Sequence, residues 1–279
     1  MIKTIDVQSG ETAKLYQYLS SAITPRPIAL VSTIDEDGNK NLSPFSFFNV
    51  FSINPPILAF SPVRRVRNNT SKHTLNNVKK INECAIALVT EEIAQQVSLA
   101  SCDFDNKTNE FKKAGLTEIK SEIITPSRIK ESPINFECKV NDVISLGDEG
   151  GAGNLVICEV LKIHIQENIL AEDDTIDPFK LNIVSRLGGS WYGRTTKKSL
   201  YKIAKPLSRL GMGIDNLPKE ISNSKILTGN ELAILASAES IPIKNKFPLR
   251  ENKNLKEKHI LAKELLQKGE TDNAWQLLL

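Results

Sequence analysis

The feature that most restricts how this chain can fold is a series of apolar runs, most of them too short for helices and separated by turn residues. They fall at residues 28–34, 42–50, 57–60, 85–90, 134–146 and 155–165. Each is rich in Val, Ile or Phe, and most are bounded by Gly, Pro, Asn or Asp, a composition that predicts strands. Asp35-Glu36-Asp37-Gly38 joins the first two, and its Asp-Gly suits a hairpin turn. Residues 147–153 return the chain between the last two in the same way. Connections this short imply mainly antiparallel pairing. A doubly wound parallel sheet would need strands alternating with long helices, and no G-x-G-x-x-G follows a strand here. Helical periodicity interrupts the sheet at 74–81, 91–101 and 109–114, with Gly115 as a stop signal, as expected of helices packed on a barrel.

The chain has 279 residues, 40% apolar and 25% charged, the balance of an ordinary globular protein. Its character changes near residue 200, with Pro206, Leu207, Gly211, Gly213 and Pro218, then a charged stretch over 244–258. Two short amphipathic pieces follow, HILAKELLQKG and DNAWQLLL, whose apolar faces are expected to pack on the body or on a partner. The division expected is a domain over 1–199 and an extension over 200–279. The net charge of +3 arises beyond residue 200, where 13 basic residues face 9 acidic ones. That excess is too weak to argue for nucleic acid. No run approaches the roughly 18 apolar residues of a membrane span, and MIKTIDVQSGETAK lacks the apolar stretch of a signal peptide, so a cytoplasmic location is expected. Cys84, Cys102, Cys138 and Cys158 are scattered with no C-x-x-C pair, which predicts buried reduced thiols rather than disulfides or zinc. Three histidines spread over the chain make no metal cluster.

Two stretches carry chemistry. Ser43-Pro44-Phe45-Ser46-Phe47-Phe48-Asn49 sets hydroxyls, an amide and phenylalanines along one strand end. Read as a continuous strand, it puts Phe45, Phe47 and Asn49 on one face and Ser46 and Phe48 on the other, a rim suited to a flat heteroaromatic ring. Residues 60–74 leave a strand at Ser61, pass Arg64, Arg65 and Arg67, and enter a helix with Ser71 or Thr74 as candidate N-cap. A helix start beside cations favours phosphate, and His73 serves the same anion or points to water. One phosphate plus one flat ring fits flavin mononucleotide (FMN) or pyridoxal phosphate. The second commonly needs an imine-forming lysine, and the rim has none between Asn41 and Arg64. The three glycines and two aromatics of 186–194 suit a bent loop that brings Tyr192 over a ligand. Residues 101–105, between two helices, read as a connecting loop, with a place near the substrate side as the alternative.

Residues 24–193 resemble the flavin reductase-like family through six ordered motifs: RPIALVST, NLSPFSFFN, PPILAFSP, SKHTLNNV, ESPINFEC and RLGGSWYGR. The resemblance implies a mainly β fold with accessory helices (β+α), an FMN-binding antiparallel split β-barrel, here followed by a partly helical C-terminal extension. It implies FMN near the interface of a homodimer and hydride transfer to the flavin N5 from NADH or NADPH. It sets Ser46, Phe47, Phe48 and Asn49 along the isoalloxazine and ribityl chain, and gives the phosphate to Ser61, Lys72 and Thr74. Members often read K-D-T where this chain has Lys72-His73-Thr74, so Arg64 or Arg65 is a further candidate for the phosphate. Arg26 is carried as a flavin-side contact, against a surface ion pair. Catalytic residues are left unassigned, because positioning nicotinamide against flavin needs no protein nucleophile. The acceptor is a small molecule or a partner oxygenase. Two alternatives remain: an FMN-binding electron-transfer protein without a nicotinamide site, and a relative of pyridoxamine phosphate oxidases.

Overall fold

A computed structural model describes residues 1–8, 10–203, 210–245, 247 and 253–279. Pro206 and Leu207, and residues 246 and 248–252 of the charged stretch, lie outside the described residues. The chain divides into two compact units, Met1–Tyr201 and Lys202–Leu279.

In the first unit, α1 (Thr12–Ala22) precedes β1 (Ala29–Ile34), β2 (Lys40–Phe45), β3 (Phe48–Ile53) and β4 (Pro56–Phe60). Then come α2 (His73–Ile81), β5 (Glu83–Leu88), α3 (Ala94–Ala100), α4 (Glu110–Ala114), and the short strands β6 (Glu118–Ile119) and β7 (Arg128–Ile129). The long strands β8 (Ile134–Ser145) and β9 (Asn154–Ile165) follow, and a hairpin of β10 (Val184–Arg186) and β11 (Tyr192–Arg194) ends the unit.

Seven strands form one antiparallel sheet in the order β2-β1-β5-β8-β9-β4-β3. β2 and β3 are consecutive in the chain yet lie at opposite edges, with only Ser46 and Phe47 between them. The step from Phe45 to Phe48 spans at most about 10 Å. The sheet must therefore curl until its edges meet, and since β2 and β3 do not pair, the barrel is split.

Alternate residues fill its interior, among them Val31, Phe45, Phe60, Ile86, Val140 and Val156, with Leu75 and Val78 of α2 in the same cluster. Leu30, Leu42 and Ala87 face outward onto Val97 of α3 and Phe111 of α4. Cys84, Cys138 and Cys158 are buried inside the barrel, the first and last with sulfurs 3.7 Å apart, whereas Cys102 is exposed and corrects the expectation that all four are buried. On β8 the carboxylate of Glu137, 0% exposed, accepts the amides of Glu122 (2.9 Å) and Ile123 (2.8 Å) and lies 2.8 Å from His164 Nε2. It pins residues 120–127, which link β6 to β7.

Two local expectations change, and a third holds. The run 42–50 is two strands: the break at Ser46–Phe47 turns Phe45 and Phe48 both toward the barrel core and leaves Phe47 36% exposed, so the period-two assignment of faces fails there. Neither Ser71 nor Thr74 caps α2; Lys72 holds the N-cap position through its backbone alone. Asn109 and Gly115 do bound α4, the first accepting from the Lys112 amide (3.4 Å) and the second in left-handed conformation.

The second unit holds α5 (Lys219–Ser222), α6 (Gly229–Ala236), α7 (Leu255–Gln267) and α8 (Thr271–Leu278). Thr228 with Glu231 and Asn254 with Glu257 form capping boxes at the starts of α6 and α7. The apolar faces of α7 and α8 close on a core of their own, with Leu235, Leu265, Leu266, Trp275 and Leu277, which corrects the expectation that they need the body or a partner for cover.

Candidate functional site

The loop from β4 to α2 is built around its arginines. Arg64 holds Asn69 through the side-chain oxygen (2.6 Å) and the carbonyl (2.6 Å). Arg65 reaches the Thr70 hydroxyl (3.0 Å), the Ser71 carbonyl (2.7 Å) and Asp103, which also pairs with Arg67. The β8–β9 turn braces this loop, since the Arg64 amide donates to Ala152 O (2.9 Å) and the Gly151 amide to Arg64 O (3.0 Å). Ser61 donates its amide to Phe47 O (2.8 Å), and its hydroxyl would lie 2.7 Å from any Cβ at position 153, so a larger residue there would push that hydroxyl aside.

Where the loop enters α2, Arg65, Lys72, His73 and Thr74 line a small cleft with Asn41, Ser43, Cys102, Asp103, Phe104 and Glu110. Thr74 is 1% exposed and donates its hydroxyl to Asn41 Oδ1 (2.6 Å), while Glu110 accepts from Asn41 Nδ2 (3.0 Å) and the Leu42 amide (3.0 Å). Burial pushes the Glu110 carboxyl above its usual pKa despite those bonds. Lys72 is half-buried and its ammonium has no hydrogen-bond or ion-pair partner among the described residues; burial first, then Arg65 and Arg67, lower its pKa. The amides of His73 and Thr74 open the helix with no acceptor among the described residues. Two unsatisfied helix-start donors beside an unneutralised ammonium make a seat for an anion.

A second cleft, of about 340 Å³, lies between α1 and the β10–β11 hairpin. Val66, the neighbour of Arg65, lines it, so the arginine loop borders both clefts. Arg26 is buried, and its guanidinium donates to the carbonyls of Ser20, Ile23 (2.8 Å) and Leu187 (3.1 Å). It forms no surface ion pair, because α1 and the residue after β10 point carbonyls at it. Its charge lies 5.9 Å from the centre of the Phe47 ring, which faces Tyr16 at 6.3 Å. Backbone bonds between Arg26 and Arg186 fasten the hairpin to the start of β1. Tyr192 is exposed, with Arg186 4.6 Å above its ring. A Cβ at Gly188 would fall 2.1 Å from the Ser21 hydroxyl, so α1 approaches the hairpin only because that residue is glycine.

The expected residues thus separate into groups. Arg65, Lys72 and Thr74 share the anion cleft; Arg26 lines the larger cleft with Phe47 beside it, and Tyr192 stacks on Arg186 of that wall. Ser46 lies at the β2–β3 step, Phe48 pairs with Phe60, and Asn49 is exposed with its side chain on the Val50 amide (2.8 Å). Ser61 lies at the root of the arginine loop, beside Gly153 rather than in the anion cleft. Cys102, Asp103 and Phe104 of the loop 101–105 are a wall of that cleft, so the loop is more than a connection. Asn41, Ser43, Asp103 and Glu110 are the contributors sequence reasoning missed.

Among known families, residues 20–179 match the flavin reductase like domain. The chain belongs to the flavin reductase-like family. An uncharacterized protein of Aquifex aeolicus (strain VF5) is 37% identical over 183 residues, 66% of this chain and 90% of its own length. Among solved structures, nitrilotriacetate monooxygenase component B from Bacillus cereus superposes with a TM-score of 0.68 at 26% identity, covering 73% of this chain and 99% of its own. Pseudomonas fluorescens 2-nitrobenzoate 2-nitroreductase NbaA gives 0.65 at 26% identity, covering 76% and 100%. The flavin reductase-like match and both superpositions agree with the split barrel described above. None of the described helices is long and apolar enough to cross a membrane.

Proposed function

We propose that this protein is an FMN-binding oxidoreductase of the flavin reductase type that takes reducing equivalents from NADH or NADPH. The observation that carries the reading is the half-buried Lys72 at the start of α2, whose ammonium has no partner among the described residues, beside Arg65 and two amides that have no acceptor among them. The donors fit a phosphate monoester: Lys72 supplies charge, the His73 and Thr74 amides supply direction, and Arg65 is held nearby by Asp103. Ser46, Phe47, Phe48 and Asn49 offer the backbone and rings of the barrel's step to the flat heterocycle. Arg26 positions that step by holding the end of α1 and stacking on Phe47.

A bound FMN would supply a two-electron carrier between a reduced nicotinamide and a second substrate. The chain's own part is to orient the ring, fix the phosphate and keep water off the reacting face. The Bacillus cereus and Pseudomonas fluorescens neighbours, by name a monooxygenase component and a nitroreductase, support an oxidoreductase and leave a small molecule or a partner oxygenase as acceptor. Exposed apolar residues on the outer sheet, Phe51 (66%) and Ile53 (81%) on the edge strand β3 and Leu161 and Ile163 on β9, support a homodimer, and FMN near its interface is part of the same proposal. A cytoplasmic location and a role for residues 1–199 as the FMN-binding domain belong to the same reading.

The test is spectroscopic. The purified protein is expected to take up one FMN per chain, and anaerobic NADH or NADPH to bleach the bound flavin. Failure to bind FMN would remove the reading; FMN uptake without bleaching by either nucleotide, but with reduction by a protein donor, would make it an electron carrier.

A further inference from the structure

The cleft between α1 and the β10–β11 hairpin holds a charge arrangement that hydride transfer leaves unused. Arg26 and Arg186 both line it, and no Asp or Glu does. Neither arginine forms an ion pair among the described residues. Arg26 is fixed, with its terminal nitrogens on three backbone carbonyls and its Nε buried without a partner. Arg186 is tied only lightly: it donates to Gly189 O (2.9 Å) and stacks on Tyr192. Burial first, and the repulsion of Arg186 beside it, lower the pKa of Arg26 although Tyr16 opposes them. Two like charges kept together, one of them out of water, are stabilised by an anion between or above them.

The remaining walls say which kind. Ala13, Tyr16, Val66 and Leu187 give most of them an apolar or aromatic character, with Gln17 and Ser20 as neutral polar residues among them. A bare inorganic anion would gain nothing from them. A volume of about 340 Å³ is near the small end of ligand sites. It is too small for a dinucleotide and sufficient for one ring with one acid group. A guanidinium that can turn, as Arg186 can, presents the planar fork that matches a carboxylate in two parallel bonds.

We infer that this cleft binds a small planar carboxylate, an aromatic or conjugated acid, with its carboxylate on Arg186 in the field of Arg26 and its ring against Tyr16, Val66 and Leu187. The inference deepens the flavin reductase reading by giving the second substrate a charge and a shape, and rests on that reading for the ligand's role. Binding itself is tested without turnover.

The experiment is calorimetric titration of the full-length protein with benzoate, with benzamide and acetate as controls, on the native chain and on Arg186→Gln and Arg186→Lys, and with FMN uptake titrated separately for each. The expected result is one benzoate per chain, with benzamide and acetate each about tenfold or more weaker, as loss of a charge-assisted pair or of the ring's burial implies. Arg186→Gln should lower benzoate affinity about tenfold or more while still taking up FMN, and Arg186→Lys should recover part of the loss. Absence of saturable benzoate binding, equal binding of benzamide or acetate, or unchanged affinity in Arg186→Gln would overturn the inference. Joint loss of FMN and benzoate in Arg186→Gln would overturn it too, by assigning Arg186 to the flavin seat. Benzoate binding by a protein that takes up no FMN would leave the carboxylate site standing and remove the flavin reading, whereas FMN uptake with no benzoate binding would do the reverse.

Discussion

Lys72 is placed where an ammonium is least comfortable, half out of water and beside Arg65 and Arg67. A phosphate bound there relieves the repulsion, so its affinity depends on the lysine being charged. With its pKa lowered in the free protein, Lys72 loses its proton at a lower pH than an ordinary lysine. FMN affinity should therefore fall as pH rises through that lowered pKa, with proton uptake accompanying binding in this alkaline range, and Lys72→Arg should shift the fall upward. Lys72→Met should weaken FMN about tenfold to a hundredfold at neutral pH, read from flavin fluorescence titration. Lys72 and Arg65 were legible in the sequence because an anion seat at a helix start is a local pattern: cations and hydroxyls come within a few residues of the first free amides. Asn41, Asp103 and Glu110 were not, since they reach the same cleft from β2, from the loop after α3 and from α4, and no spacing connects them. The burial of Arg26 was not legible for a related reason, because the carbonyls that bury it belong to α1 and to Leu187, far along the chain.

Among the elements, the strands were legible by composition and turn chemistry, and the long β8–β9 pair came within a residue of its expected bounds. The break between β2 and β3 was not. Ser46 and Phe47 satisfy the same alternation as their neighbours, and only the closure of the sheet decides that the chain changes edges there. α1 escaped because Glu11 before it makes no side-chain cap and its first turn holds no acidic residue. β8 carries a clamp with a consequence for stability. Burial raises the Glu137 carboxyl, but the amides of Glu122 and Ile123 and the ring of His164 outweigh it and hold the pKa below the usual carboxylate value. A carboxyl depressed on folding stabilises above its unfolded pKa, and that contribution is lost as pH falls through the depressed value. Glu137→Ala leaves two amides unpaired and should cost about 3 kcal/mol in urea unfolding at neutral pH. The difference from the native chain should shrink in acid.

For the whole molecule, the change of composition near residue 200 was readable, and the chain passes from its first compact unit to its second between Tyr201 and Lys202. The independent core of the second unit was not readable, since amphipathic segments do not name the surface that covers them. The first unit presents Phe51 and Ile53 on an edge strand, an arrangement that invites association unless it is already used for it. If that face joins two chains, Phe51→Asp should cost the dimer about 2 kcal/mol or more and move sedimentation toward the monomer at micromolar concentration. An unchanged mass would exclude this face. The crossing from β2 to β3 bears on the same scale. A vault shut by a crossing of two residues has its keystone at the lip, so a group resting on Ser46 and Phe47 would sit on the very span that closes it, and its hold would depend on that span staying in place.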